Sequence, residues 1–84
     1  MAHAAGVPAG IRAGRNQLLR IEKQKELANV ISLYAGKMKH YGYSDRQINK
    51  KFFLTYDMSI TGALSLKTAE MDAVMKEIKY EIGI

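Results

Sequence analysis

Eighty-four residues and 9.4 kDa leave room for one small domain, since autonomous domains run to roughly 50–250 residues. The hydrophobic fraction of 48% and charged fraction of 25% are those of an ordinary globular chain and exclude wholesale disorder; without cysteine there is neither a disulfide staple nor a thiolate metal site. Thirteen Lys and Arg against eight Asp and Glu give a net charge of +5, and the excess is uneven: residues 1–51 carry ten basic and three acidic side chains, residues 52–84 three and five. A field of that sign favours an anionic partner and says nothing about fold.

Residues 1–15 are rich in Ala and Gly, hold the only Pro (Pro8) and show no sustained period, so they read as a flexible tail preceding a domain over 16–84. Arg12 and Arg15 are available there to phosphates, although a leader without a role accounts for the segment equally well. No uncharged run approaches the roughly 18–20 residues of a membrane span, and Met1 to Gly10 lack a signal-peptide pattern. A cytoplasmic protein with no membrane partner is expected.

A first helix is predicted from Asn16 to about His40. Its apolar stripe is Leu27, Val30, Ile31, Tyr34 and Met38, the i, i+3, i+4, i+7, i+11 series of one helical face. Projected at about 100° per residue, Arg20 and Lys23 share the azimuth of that stripe, where a core would not admit them, so packing is expected to begin near Gln24. Leu18, Leu19 and Ile21 stay unassigned. Gly42 is placed to end the helix or shape the loop after it.

Ser44 followed by Gln47 fits a capping box, with Asp45 near the positive helix end, and opens a second helix. Ile48, Phe52 and Tyr56 form its buried face; Arg46 and Lys50 lie on the outer side and Lys51 at the flank. Asp57 to Gly62 reads as a turn in which Ser59 caps a short third helix through Leu64, against the β-branched Ile60 and Thr61. The last helix is expected from Thr68 as N-cap, with Glu70 and Asp72 in its first turns, Met71, Val74, Met75, Ile78 and Ile82 on one face, and Lys76 and Lys79 later. With no strand alternation and no internal repeat, the fold class is all-α: a small bundle of three to four helices behind a disordered N-terminal tail.

Chemistry-bearing motifs are sparse. His3 and His40 have no Cys, Asp or Glu partners at metal-ligand spacing, and there is no phosphate-binding glycine loop, dinucleotide fingerprint or nucleophile elbow. Glu70, Glu77 and Glu81 fall on the solvated side of the last helix and read as surface charge. The expectation is a protein without enzymatic activity, metal or cofactor, acting as a monomer.

The constellation left is cationic. Lys37 and Lys39 close the first helix, Arg46, Lys50 and Lys51 project from the second, and Tyr41 and Tyr43 lie between them. Lysine and arginine meet phosphates, and a tyrosine ring offers a stacking face to an unpaired base. Lysines at a helix C-terminus also satisfy the dipole, and Tyr43 before the cap suits a hydrophobic staple. A sequence-reading helix-turn-helix is disfavoured, because its recognition helix would begin with Glu70 and Asp72 and repel phosphate.

The runs Arg20-Ile-Glu-Lys-Gln-Lys-Glu-Leu-Ala-Asn-Val-Ile-Ser-Leu-Tyr-Ala, Tyr43-Ser-Asp-Arg-Gln-Ile-Asn-Lys-Lys-Phe-Phe and Ile60-Thr-Gly-Ala-Leu-Ser-Leu-Lys-Thr-Ala-Glu-Met resemble the C-terminal helical module of phage UvsW-type DNA helicases, a module also described as a separate small protein, over about residues 17–82. The resemblance implies a helical accessory module of a superfamily-two helicase serving recombination and repair, with single-stranded or branched DNA as partner alongside the helicase motor or other replication proteins. It carries no binding residues across. The interface expected from charge alone comprises Arg20, Lys23, Lys37, Lys39, Tyr41, Arg46, Lys50 and Lys51. The rival expectation is a protein–protein module, for which Leu33, Phe53 and Leu54, lying off the core stripes, would supply apolar surface.

Overall fold

A computed structural model describes the backbone of Ala2–Ile84 and the side chains of residues 17–84; the tail predicted over 1–15 lies outside the residues whose packing is described. Four helices follow in chain order: α1 (Ala2–His40), α2 (Asp45–Tyr56), α3 (Ile60–Ala63) and α4 (Thr68–Ile82). No strand occurs among the described residues.

The 3.6-residue period fixes the core. Every stripe residue predicted on α1, α2 and α4 is buried, from Leu27 to Ile82, and Ala63 of α3 joins them. Tyr34 is the centre of an aromatic cluster, with its ring 5.7 Å from Phe52 and 6.2 Å from Tyr56, both edge-on. Edge-to-face pairs of this kind add roughly 0.5–1.5 kcal/mol to the burial itself.

α1 and α4 share the largest interface and run parallel. Lys23 near one end of the packed part of α1 meets Asp72 in the first turns of α4, and Lys37 fourteen residues on meets Ile82 at the end of α4. A parallel pair needs a return connection, which α2 and α3 supply. α1 ends in a Schellman motif: Gly42, at φ +98°, donates to the Lys39 carbonyl and Tyr43 donates to that of Met38. The chain then enters α2 through the predicted capping box, in which Gln47 N–H donates to Ser44 Oγ at 3.2 Å and Ser44 N–H to Gln47 Oε1 at 2.8 Å.

α2 stops at Asp57, which is left-handed (φ +58°), and α3 forms as expected with Ser59 Oγ accepting from Gly62 N–H at 2.9 Å. A Cβ at position 62 would stand 3.1 Å from that oxygen, which suits glycine to the cap. α1 begins ahead of the Asn16 expected for it, and the start of α4 differs as well. Thr68 is already helical, and the N-cap is Lys67, extended at ψ 155° with no side-chain cap bond. Leu66 packs against the core immediately before it, so the point where the chain turns into α4 is set by burial one residue earlier than by capping chemistry.

Candidate nucleic-acid interface

The seven cations among the eight residues expected to meet nucleic acid divide into three groups. Arg20 and Lys23, which the helical projection put on the core azimuth, do face the bundle, and each is used there. The Arg20 guanidinium donates to the Ser65 carbonyl at 3.3 Å; Lys23 Nζ lies 2.7 Å from Asp72 Oδ1 and 3.6 Å from Glu26 Oε2. The hydrogen bond to Asp72, helped by the charge of that carboxylate and of Glu26 and opposed by desolvation, holds the Lys23 ammonium above its ordinary range. Gln24 beside them donates to the Leu64 carbonyl at 2.9 Å. These three polar side chains clamp α1 to the α3–α4 connection and the first turns of α4, well away from the corner where α1 ends.

Lys37 and Lys39 are at that corner and are also engaged. Lys37 Nζ donates to the Ile82 carbonyl at 2.8 Å, a cation on the negative end of α4, while Lys39 pairs with Asp45 at 3.0 Å across the α1–α2 junction. The second pair is exposed on both sides and so is worth little, about 0–1 kcal/mol. It is easily exchanged for an external anion.

The third group is the least committed. Arg46 and Lys50 are exposed on the outer face of α2, and neither has a carboxylate partner among the described residues. Lys51, on the α2 flank, lies 4.0 Å from Glu81 Oε1. Glu81 Oε2 in turn accepts the Tyr56 hydroxyl at 2.6 Å. Burial first, and then this hydrogen bond, push the Tyr56 phenol far above its ordinary value.

Two adjoining hollows open here. One, on the outer face of α2, is bounded by Tyr43, Gln47, Lys50, Lys51 and Leu54. The other lies between the end of α1, α2 and α4, and is bounded by Lys37, Met38, Tyr41, Tyr43, Lys51 and Glu81. They share Tyr43 and Lys51. Tyr41, 61% exposed, and Tyr43, 40% exposed, are held at this rim by the Schellman turn. Sequence reasoning placed Tyr43 beside the patch but left it out of the interface, and it placed Glu81 on a solvated surface. The signal that would have found Glu81 was its position one residue before the last core residue of α4, on the side facing α2.

Exposed apolar side chains are also present. Leu33, Phe53 and Leu54 are all exposed, as their positions off the stripes predicted, and Leu18, Leu19 and Ile21 are exposed on α1 ahead of the packed part. No helix among the described residues is long and apolar enough to cross a membrane, and no three His, Asp or Glu side chains among them group as metal ligands. Comparison of the chain with protein-family models, with curated proteins and with solved structures finds no match.

Proposed function

We propose that this chain is a non-enzymatic nucleic-acid-binding module that contacts single-stranded or branched DNA through the α1–α2 corner, as an accessory to a phage recombination or repair helicase of the UvsW type. The observation that carries the reading is the convergence of Lys50 and Lys51 with Tyr41 and Tyr43 around two hollows that share a wall, with Lys37, held on the Ile82 carbonyl, adding charge at the edge. Cations beside exposed aromatic rings are what an unpaired strand needs, a charge track for phosphates and a surface on which bases stack. The resemblance noted in the sequence supplies the helicase context. Arg46 and Lys50 take phosphates directly, Lys51 borders both hollows, and Lys39 exchanges Asp45 for phosphate. Arg20, spent on the α3–α4 connection, and Lys23, spent on Asp72 of α4, have no part in the binding face.

Recognition of this kind is weakly dependent on sequence and steeply dependent on salt. Arg46→Ala/Lys50→Ala/Lys51→Ala is expected to keep its helicity and to reduce the slope of log K against log salt by at least about 1.4 for a single strand, at about 0.7 for each phosphate that Arg46 and Lys50 no longer neutralise. Fluorescence anisotropy of a labelled oligonucleotide between about 50 and 200 mM salt measures it. Unchanged binding by the triple variant would remove the interface from this face.

A second reading is favoured by the exposure of Leu33, Phe53 and Leu54. In it, an apolar surface docks on the helicase motor or another replication protein, and the charge only steers encounter. Absence of any shift with single-stranded or forked DNA at low salt, together with capture of a helicase, would select it.

A further inference from the structure

The hollow between α1, α2 and α4 contains a carboxylate, which a surface built for phosphate alone would not keep. Glu81 stands among Lys37, Lys51 and the two tyrosines, retaining 31% of its side-chain exposure. Its Oε2 is fixed by the Tyr56 hydroxyl at 2.6 Å, so the carboxyl group is held in one orientation. Its Oε1 lies 4.0 Å from Lys51 Nζ, too far for a hydrogen bond. An ammonium donor and a carboxylate acceptor therefore stand side by side at the wall of the hollow with hydrogen-bonding capacity unspent on each other. Lys37 is committed to the Ile82 carbonyl and adds charge at the edge.

We infer that this hollow is a base-reading subsite that prefers guanine in a single strand. The inference rests on the nucleic-acid reading above and names what that face selects. Among the bases, guanine alone presents on one edge an acceptor, O6, directly beside two donors, N1–H and the N2 amino group. Lys51 donates to O6 while Glu81 Oε1 accepts from N1–H and N2–H, and Tyr41 or Tyr43, at the mouth, stacks on the ring. Thymine offers the carboxylate one donor flanked by two acceptors. Adenine and cytosine each offer the carboxylate a single amino donor beside a ring acceptor, so they give Glu81 one hydrogen-bonding position where guanine gives two adjacent ones. Phosphates are repelled by Glu81 and lie outside the hollow, on Arg46 and Lys50, which have no carboxylate partner among the described residues. The two hollows thus divide the work: backbone on the outer face of α2, one base beneath the tyrosines.

The test uses the full chain and three single-stranded oligonucleotides of equal length: alternating thymine–guanine, alternating thymine–inosine, and thymine alone. Inosine removes only the N2 amino group and leaves the protein untouched. At about 50 mM salt the thymine–guanine strand is expected to bind about tenfold more tightly than thymine alone, with inosine between them, a modest value for a readout contact. Glu81→Gln, which keeps an oxygen for the Tyr56 hydroxyl, is expected to abolish the guanine preference while leaving affinity for the thymine strand equal or higher, because a negative charge is gone. Arg46→Ala/Lys50→Ala is expected to weaken all three strands by the same factor and leave the preference in place. Equal affinities for all three strands with clear binding would overturn the guanine subsite and leave the DNA reading standing. A guanine preference that survives Glu81→Gln would also overturn the subsite. Lack of binding to every strand at that low salt would overturn both.

Discussion

Tyr34 and Tyr56 are neighbours in the core with opposite hydrogen-bonding circumstances. The Tyr34 hydroxyl is fully buried and has no hydrogen-bond partner among the described residues, whereas Tyr56 donates to Glu81. Burial, reinforced by the charges of Glu81 and Tyr43, pushes the Tyr34 phenol up to about 12, and burial with the Glu81 hydrogen bond pushes Tyr56 higher still. Both phenols hold their protons more tightly in the folded chain than in the unfolded one, where the value is about 10. Their contribution is therefore complete below about pH 10 and is lost as pH rises from there through the folded values. Tyr34→Phe keeps the edge-on packing with Phe52 and removes an unsatisfied hydroxyl, so its stability in urea is expected to equal the parent's or exceed it by up to about 1 kcal/mol. Tyr56→Phe strips Glu81 of its donor and is expected to cost about 1.5–3 kcal/mol, the range for a hydrogen bond to a charged group. The double variant should lose much of the decline in stability above about pH 10. A Tyr34→Phe chain destabilised by several kcal/mol would mean that the hydroxyl has a partner after all.

At the scale of elements, α2 and α4 begin by different means. α2 starts on a closed reciprocal capping box, while α4 starts at Lys67 with no side-chain cap. Ser44→Ala is expected to cost about 1 kcal/mol, Thr68→Ala a few tenths at most, and Lys67→Ser to gain up to about 1 kcal/mol, all readable from urea midpoints. A loss at Thr68 as large as that at Ser44 would restore threonine as the cap. The contrast also explains what could be read from the sequence. The stripe residues, the capping box, the Gly42 terminus and the short α3 depend on residues within about four positions of one another, and all were legible. The start of α4 was displaced because Leu66 obeys the core, a tertiary constraint. The cationic patch was legible as a corner and not as a set of states. The groups that engage Lys23, Lys37 and Lys51, namely Asp72, the Ile82 carbonyl and Glu81, lie thirty or more residues away in sequence, and helical spacing carries no information about them.

For the molecule as a whole, the +7 formal charge of residues 1–51, ten basic less three acidic side chains, overstates what an anion meets, because some of those cations hold the bundle together. Lys23 and Lys37 tie the two ends of the parallel α1–α4 pair, one through Asp72 and the other through the last carbonyl of the α4 helix. Arg46 and Lys50 tie nothing and stand in solvent on α2. Stability and polyanion affinity should therefore separate by residue even though every substitution removes a single positive charge. Lys23→Met and Lys37→Met, which keep the aliphatic stem and lose the ammonium, are each expected to lower the melting temperature by a few degrees. Both should leave the salt slope of single-strand binding nearly as it was, with only a small uniform loss of affinity at low salt from the weaker long-range field. Arg46→Ala/Lys50→Ala should do the reverse, holding the melting temperature within about 1–2 °C while the slope falls by about 1.4, or 0.7 for each phosphate released. Melting by circular dichroism and anisotropy at several salt concentrations, on the same set of proteins, give both quantities. If Lys23→Met flattens the salt dependence as much as the α2 double variant does, the polyanion runs along α1 and not across the corner, and the division between bracing and binding cations fails.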